Sequence, residues 1–488
     1  MGSANRIRTT VEGVLATLAT GLMFYFGNGL EPWWPLMWLA PLPVLWFALR
    51  CSRLATAVTA VCSIALGMLN LWSYLTKTLG APASVWLAVT AVVAVVFVAG
   101  TLLFRALVLR GAVWSAMLAL PSIWVTLEYL RNLATPHGSA GSLAYSQLRF
   151  LPFLQLASVT GPWGMTFVLM LFSSALAIAL HLRSTDAKGA VKVAVMGAGV
   201  TAVVLAFGVI RLAMPRGETA RVGLIASDAK EHGGGTVVDP GAETEKLFDD
   251  YARAAESLTA QGAQAIVIPE KIGVTLEGKS QGSDAVMQSV ADSTRTTVVA
   301  GVVHVDGKVK HNEARVYLPG ASLQRYDKEH MLPPFESNLK PGTTLVLLPR
   351  QKQTAQLWGV AICKDMDFAN PARRYAKEGA GLMLVPAWDF VVDRSWHGHI
   401  AVMRGVEGGF SIARAAKNGY LTVSDDRGRI VGEVPSNAAP FATLVVDAPA
   451  THHWTVYQAM GDWFAWVAIA LFVYVLLQLM RTRHEQRA

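Results

Sequence analysis

The stretch Gly359-Val-Ala-Ile-Cys363-Lys364-Asp365-Met-Asp-Phe368 decides how the soluble part of this chain is read. Residues 357–362 form a short apolar run bounded by a polar turn, the pattern of a buried strand. The turn leads into a helix through Pro371-Ala-Arg-Arg-Tyr375. Cys363 therefore stands at a strand end, where a sheet holds a thiol rigidly. A lone cysteine is most often a small buried residue. Placed at such a junction it is also a candidate nucleophile, provided a base removes its proton.

Outward from that stretch the composition changes character. The chain has 488 residues, 53% of them hydrophobic and only 16% charged. Soluble domains carry about 25% charge, so the deficit points to membrane segments. Apolar runs near the length that spans a bilayer cover residues 11–30, 33–49, 54–75, 84–104, 112–130, 164–182, 191–212 and 463–480, eight spans in all. Trp33, Trp34, Trp72, Trp86 and Trp163 sit towards the ends of these runs, as interfacial aromatics do. The net charge of +8 is not gathered into a nucleic-acid patch. Arg6/Arg8, Arg50/Arg53, Arg105/Arg110, Arg183/Lys188/Lys192 and Arg481/Arg483/Arg487 fall in alternate connections, and the opposite ones hold only Lys77, Arg131 and Arg149. The positive-inside rule then makes both termini cytoplasmic and puts everything after residue 212 on the other side.

Residues 216–454 read as a separate α/β domain, between a seven-helix segment (1–215) and a closing helix with its tail (455–488). Strands are expected at 221–226, 265–268, 296–305, 357–362, 382–385 and 420–423, and amphipathic helices at 244–261, 283–294, 370–378 and 395–410. The loop 228–240 contains Gly233-Gly-Gly235 but lacks the strand–GxGxxG–helix setting of a nucleotide site, and is read as a mobile loop. The cysteines, Cys51, Cys62 and Cys363, are too scattered for a disulfide framework, and no Cys/His spacing suits zinc. No metal or cofactor is expected.

Two more sites stand out. Ile266-Val-Ile-Pro-Glu270 places a carboxylate at the end of an apolar strand, where partial burial suits a general base. Arg325-Tyr-Asp-Lys328 leaves a strand for a Pro-rich turn, and a lysine there can hold charge developing on a tetrahedral intermediate. Either residue alone is as readily an ion-pair partner or a solvated lysine. Glu, Lys and Cys in this order, each at a strand end of one domain, are a far rarer coincidence.

This triad, Glu270, Lys328 and Cys363, resembles that of the nitrilase superfamily, and within it the apolipoprotein N-acyltransferase family. The resemblance extends to Glu128-Tyr-Leu-Arg131, Ala144-Tyr-Ser-Gln147, Gly161-Pro-Trp-Gly164, Pro333-Pro-Phe-Glu336, Met403-Arg-Gly-Val-Glu407 and Ala413-Arg-Ala-Ala-Lys-Asn-Gly419. It implies eight transmembrane helices with an αββα sandwich before the last. It implies an inner-membrane enzyme whose catalytic domain faces the periplasm. It also implies a two-step transfer of an acyl chain, from a phospholipid to Cys363 and then to the α-amine of an apolipoprotein's diacylglyceryl-cysteine. Glu336 takes a supporting role, orienting Lys328 or Glu270, and after its Pro-Pro turn is expected to be less constrained than Glu270.

Three departures from the family pattern bear on the acceptor. Lys364-Asp365 stands where the family has Tyr-Glu, the loop 226–232 lacks a Trp, and Val385-Pro-Ala-Trp388 replaces Asn-Asp-Ala-Trp. Asp365 is assigned to support, and Trp388 to substrate binding. Lys364 either lowers the thiol's pKa as a nearby cation or points to solvent. The Cys-x-Asp pattern leaves a membrane-tethered amidase, or an acyltransferase with another amine acceptor, as the competing reading.

Overall fold

A computed structural model of the chain describes residues 3–229, 239–349 and 356–485, so most of the glycine-bearing loop 228–240 lies outside the described residues. Two compact units emerge: Met1–Ala134 with Gly141–Leu212 and Met460–Ala488, and Thr135–Ala140 with Ala213–Ala459.

The first unit is helical. Among the described residues, seven of its helices are long and apolar enough to cross a membrane: Ile7–Gly27, Arg53–Leu71, Ala83–Val108, Val113–Ala134, Pro162–Leu182, Ala187–Ala213 and Trp463–Thr482. The expected span at 33–49 is not one of them. It is broken into a tight turn of helix, Trp34–Trp38, and a short α-helix, Leu42–Ala48. Pro35, Pro41 and Pro43 are the reason, since each lacks the N–H a continuous helix needs.

The broken segment nevertheless runs the length of its neighbours. Gly13 of the first helix lies against Thr59, Gly21 against Leu66, and Gly67 against Phe24, so Ser3–Gly27 and Arg53–Gly67 are parallel. The chain between two parallel helices must return from the end of one to the start of the other. It does so from Leu36 and Met37, packed on Gly27, to Phe47, packed on Gly13. Arg105 Nη2 donates to Cys51 O at 2.8 Å and Arg110 Nη1 to Leu479 O at 3.1 Å, which gathers several of the basic connections at one end of the bundle.

The second unit is a four-layer sandwich. Its strands are β1 (Thr219–Ala226), β2 (Ala265–Ile268), β3 (Val274–Leu276), β4 (Thr297–Asp306), β5 (Val309–Tyr317), β6 (Gln324–Asp327), β7 (Leu347–Pro349), β8 (Leu357–Val360), β9 (Ala380–Trp388), β10 (Ser411–Lys417), β11 (Tyr420–Ser424), β12 (Ile430–Pro435) and β13 (Ala442–Pro449). One sheet runs β13-β1-β2-β4-β5-β6 with β3 on β4, and the other runs β12-β11-β10-β9-β8-β7. Val222, Leu224, Val267, Val299, Val360, Leu384, Ala415 and Val423 pack between the sheets. Helices Ala242–Thr259 and Gln281–Thr294 cover the outer face of the first sheet through Phe248, Tyr251 and Met287. Ala369–Lys377 and Trp396–Gly408 cover the second through Tyr375 and Ala401. Strands buried on both faces read as continuous apolar runs, which is why β2 and β8 were visible in the sequence. Short or mixed strands such as β3, β7 and β12 carry no such run, and the sequence reading missed them, while β6 was met only as the strand that Lys328 leaves.

Candidate active site

The parallel strands β1, β2 and β4 of one sheet face the parallel strands β8, β9 and β10 of the other. Residues just past β2, β6, β8 and β9 converge. Glu270 follows β2 by two residues, and its N–H reaches across to Ala387 O of β9 at 3.2 Å. Gly301 of β4 lies directly beneath. A Cβ on Gly301 would stand 2.5 Å from Glu270 Cα, so only glycine admits this approach. The next residue, Lys271, has a positive φ of 51°.

Cys363 also adopts a positive φ, 41°, and opens a turn of tight helix, Cys363–Asp367. A non-glycine residue held there is strained, and such strain concentrates at functional sites. Asp365 holds the turn in place. Its Oδ2 accepts from Ile362 N (3.1 Å) and Tyr326 Oη (2.9 Å), and its Oδ1 from Glu329 N (3.1 Å) and His330 N (2.8 Å). One carboxylate thus ties the cysteine turn to the segment that carries Lys328.

Lys328 is buried, and its Nζ donates to Glu270 Oε1 and to Glu336 Oε2, both at 2.8 Å. Asn312 Nδ2 on β5 bridges the same two carboxylates, at 2.5 Å to Glu270 Oε1 and 2.8 Å to Glu336 Oε1. Lys271 Nζ lies 2.5 Å from Glu336 Oε1. Glu336 is 1% exposed and also accepts Leu332 N at 2.8 Å. It is as constrained as Glu270, contrary to the expectation from its Pro-Pro turn. The turn is short enough for the side chain to fold back on its own backbone, where two lysines meet it.

These charges act on one another. Burial works to raise the Glu336 carboxyl, but Lys328 and Lys271 outweigh it and hold it down at about 2. Burial works to lower Lys328, but Glu270 and Glu336 outweigh it and carry the ammonium above its ordinary range. Burial and then the charge of Glu270 push the Cys363 thiol well up, against the pull of Lys328 and Arg414. At neutral pH the thiol keeps its proton until a base takes it.

A second ring of groups surrounds the thiol. Cys363 Sγ donates to Trp388 O at 3.6 Å. Arg414 Nη2 lies 4.0 Å from Sγ and is fixed by Asp389, whose oxygens accept its Nη1 (2.7 Å) and Nη2 (2.5 Å). Lys417 Nζ sits 3.8 Å from the centre of the Trp388 ring and donates to Lys271 O at 3.1 Å. Burial and then Lys271 lower Lys417 to about 7.

Lys364 follows neither course the sequence left open. It is buried, its Nζ is 3.7 Å from Asp367 Oδ2 and 3.4 Å from His137 Nδ1, and the cations acting on the thiol are Lys328 and Arg414. A tight helical turn points successive side chains apart, so a neighbour in sequence need not face the thiol.

Sequence reasoning missed Lys271, Asn312, Asp389, Arg414 and Lys417. A signal existed for Arg414 and Lys417, since charges inside an apolar strand-like run imply buried partners. None marked Asn312.

The sandwich, the half-buried thiol and the buried carboxylate and ammonium define a carbon–nitrogen hydrolase domain. Residues 239–449 match the carbon-nitrogen hydrolase family model, and residues 19–175 match the model of the apolipoprotein N-acyltransferase N-terminal domain. The chain is 27% identical over 387 residues to the apolipoprotein N-acyltransferase of Geobacter metallireducens, covering 73% of each. It is 25% identical over 506 residues to that of Gloeobacter violaceus, covering 95% of this chain and 93% of the relative. Among solved structures, an amidase from Nesterenkonia sp. is 21% identical, with a TM-score of 0.40, over 49% of this chain and 93% of that one. The chain is thus similar over nearly its whole length to apolipoprotein N-acyltransferases, and it is a membrane protein and an acyltransferase.

Proposed function

We propose that the chain moves an acyl chain from a membrane phospholipid to the N-terminal α-amine of an apolipoprotein's diacylglyceryl-cysteine, through a thioester on Cys363. The observation that carries this reading is the buried Lys328, bonded at 2.8 Å to both Glu270 and Glu336 and coupled to the Cys363 thiol. Glu270 takes the thiol proton. Sulfur attacks the ester carbonyl, and the ammonium of Lys328 stabilises the oxyanion. The carbon–oxygen bond breaks, and the lysophospholipid alkoxide leaves with the proton from Glu270. The α-amine then attacks the thioester and gives up a proton to Glu270, and as the carbon–sulfur bond breaks Glu270 passes that proton to the sulfur and restores the thiol. Asp365 positions the cysteine turn, Glu336 orients Lys328, and Trp388 lines the substrate side. Lys364 braces the turn through Asp367.

The broken return pass supports an orientation. Counted as a pass with the long helices before residue 213, it gives seven, and with the positive-inside rule this supports a catalytic unit on the side opposite the basic connections, the periplasmic face of a bacterial inner membrane. Cysteines introduced at Lys188 and Lys279, both exposed, report this directly. An impermeant thiol reagent on intact cells is expected to label position 279 and spare 188, and the reverse pattern rejects the orientation.

Phosphatidylethanolamine and a diacylated lipopeptide, supplied together, are expected to yield a triacylated lipopeptide, and phospholipid alone an acyl adduct on Cys363 by mass spectrometry. Turnover without that adduct would reject the thioester route. Hydrolysis of simple amides without lipopeptide acylation would favour the amidase reading.

A further inference from the structure

One guanidinium of the helical unit, half-buried as a residue, has no part in this chemistry. Arg131 lies in the last turn of the helix Val113–Ala134. Its Nε and Nη2 are buried, and neither meets a hydrogen-bond acceptor. Arg373, Arg374 and Arg414 also bury an unpaired Nε, yet each reaches an acceptor through another nitrogen: Gln458 O, Glu329 and Asp389. Glu128, one turn earlier, acts on Arg131 through its charge but accepts none of its N–H groups, because four other donors occupy its carboxylate. Its Oε1 accepts from Trp124 Nε1 (3.2 Å) and Leu143 N (2.8 Å), and its Oε2 from Ser142 Oγ (2.7 Å) and Thr166 Oγ1 (2.9 Å). An arginine that merely reached for water would expose these nitrogens.

Gly141 packs closely on the guanidinium with no side chain to crowd it. A Cβ there would stand 3.0 Å from Nη1 and 3.5 Å from Nη2, and the φ of +81° favours glycine as well. Burying guanidinium N–H groups without an acceptor is costly, so the arrangement calls for an anion. The end of a 22-residue apolar helix lies at the level of lipid headgroups. The planar fork of an arginine matches phosphate oxygens.

We propose that Arg131, with Gly141 beside it, binds the phosphodiester of a membrane phospholipid. The inference rests on the reading that phospholipid is a substrate, and assigns the group that recognises its headgroup.

Binding is best read without turnover, on full-length Cys363→Ala protein, delipidated in detergent and titrated by native mass spectrometry. Phosphatidylethanolamine and phosphatidylglycerol are expected to bind much more tightly than diacylglycerol, which has the same chains but no phosphate. Adding Arg131→Gln is expected to weaken both phospholipids about 100-fold, as loss of a buried charged partner does, and diacylglycerol by less than about threefold. Arg131→Lys, which keeps the charge but not the fork, is expected to fall between, and carries the test alone if the Gln variant does not fold. Unchanged phospholipid affinity in these variants, or equal loss for diacylglycerol, overturns the proposal. So does inorganic phosphate that binds through Arg131 while phospholipid does not. This assay needs no thiol. Phospholipid binding through Arg131 in a chain that never forms acyl-Cys363 would therefore sink the acyl-transfer reading and leave the phosphate site standing.

Discussion

Two buried glutamates show how little burial alone says about function. Glu128 in the helical unit is 4% exposed, and Glu270 in the sandwich is 1% exposed. Glu128 accepts hydrogen bonds from an indole, two hydroxyls and a backbone N–H, all neutral and all fixed, with the Arg131 charge one turn away. That shell ties the helix Val113–Ala134 to Ser142, Leu143 and the helix Pro162–Leu182, and leaves the carboxylate nothing to exchange a proton with. Glu270 is met by an ammonium and an amide, beside a thiol whose proton its own charge helps to retain. The first arrangement is a structural knot. The second couples three titratable groups, and it is the coupling that makes a carboxylate a base.

The largest expected effect comes from removing the partner that gives Glu270 its task. Cys363→Ala and Cys363→Ser should abolish the acyl adduct with phospholipid, read by intact mass. An adduct that persists in Cys363→Ala would place the nucleophile elsewhere. Next, Glu270→Gln should slow single-turnover acylation by about 10²–10⁴, the usual cost of losing a general base.

Glu336→Gln sharpens the contrast further. Because Glu336 shares Lys328 and Asn312 with Glu270, its loss should slow thioester formation itself, by about 10–100-fold, given that groups acting as a unit are non-additive. Wild-type loading by Glu336→Gln, with failure only in transfer to the lipopeptide, would separate the two carboxylates.

The acid side offers a smaller test. Glu336 has a folded pKa of about 2 against an ordinary 4.5, so its stabilising contribution is present above pH 4.5 and is lost as pH falls towards 2. It amounts to roughly 3 kcal/mol at most. Thermal scans should show the melting temperature dropping across that window, with a shallower drop in Glu336→Gln. Identical slopes would mean the two lysines do not hold Glu336 ionised. The smallest effect on chemistry is expected at the other glutamate. Glu128→Gln should leave Cys363 acylation within about threefold while costing about 1–3 kcal/mol of stability, because an amide cannot accept all four donors. A loss of acylation comparable to Glu270→Gln would erase the distinction between the two sites.

Much of this was legible in the chain itself. Unbroken apolar runs marked β2 and β8, and each ends beside a residue of the site, Glu270 and Cys363, because strands buried on both faces have no polar positions to dilute the signal. Long apolar helices were legible for the same reason, and alternating basic loops gave them an expected direction. The prolines that break residues 33–49 were equally visible, but their consequence was not. Whether such a segment still makes the return pass depends on its neighbours being parallel, which Gly13, Gly21 and Gly67 settle by close packing.

Tertiary structure alone decided the rest. Lys328 and Glu336 lie eight residues apart, but Asn312 and Lys271 reach Glu336 from other elements, and the Asp389–Arg414 pair reaches the thiol from the end of β9 and from β10. Their types are common on any surface, and only burial beside opposite charge gives them meaning. The same holds for Lys364, which adjoins the cysteine in sequence yet turns to Asp367 in space. Local pattern reports what a residue's own strand or helix requires. The environment that sets a proton's affinity is assembled from segments that share no pattern, so the sequence could name a candidate nucleophile and a candidate base but not the charges that tune them.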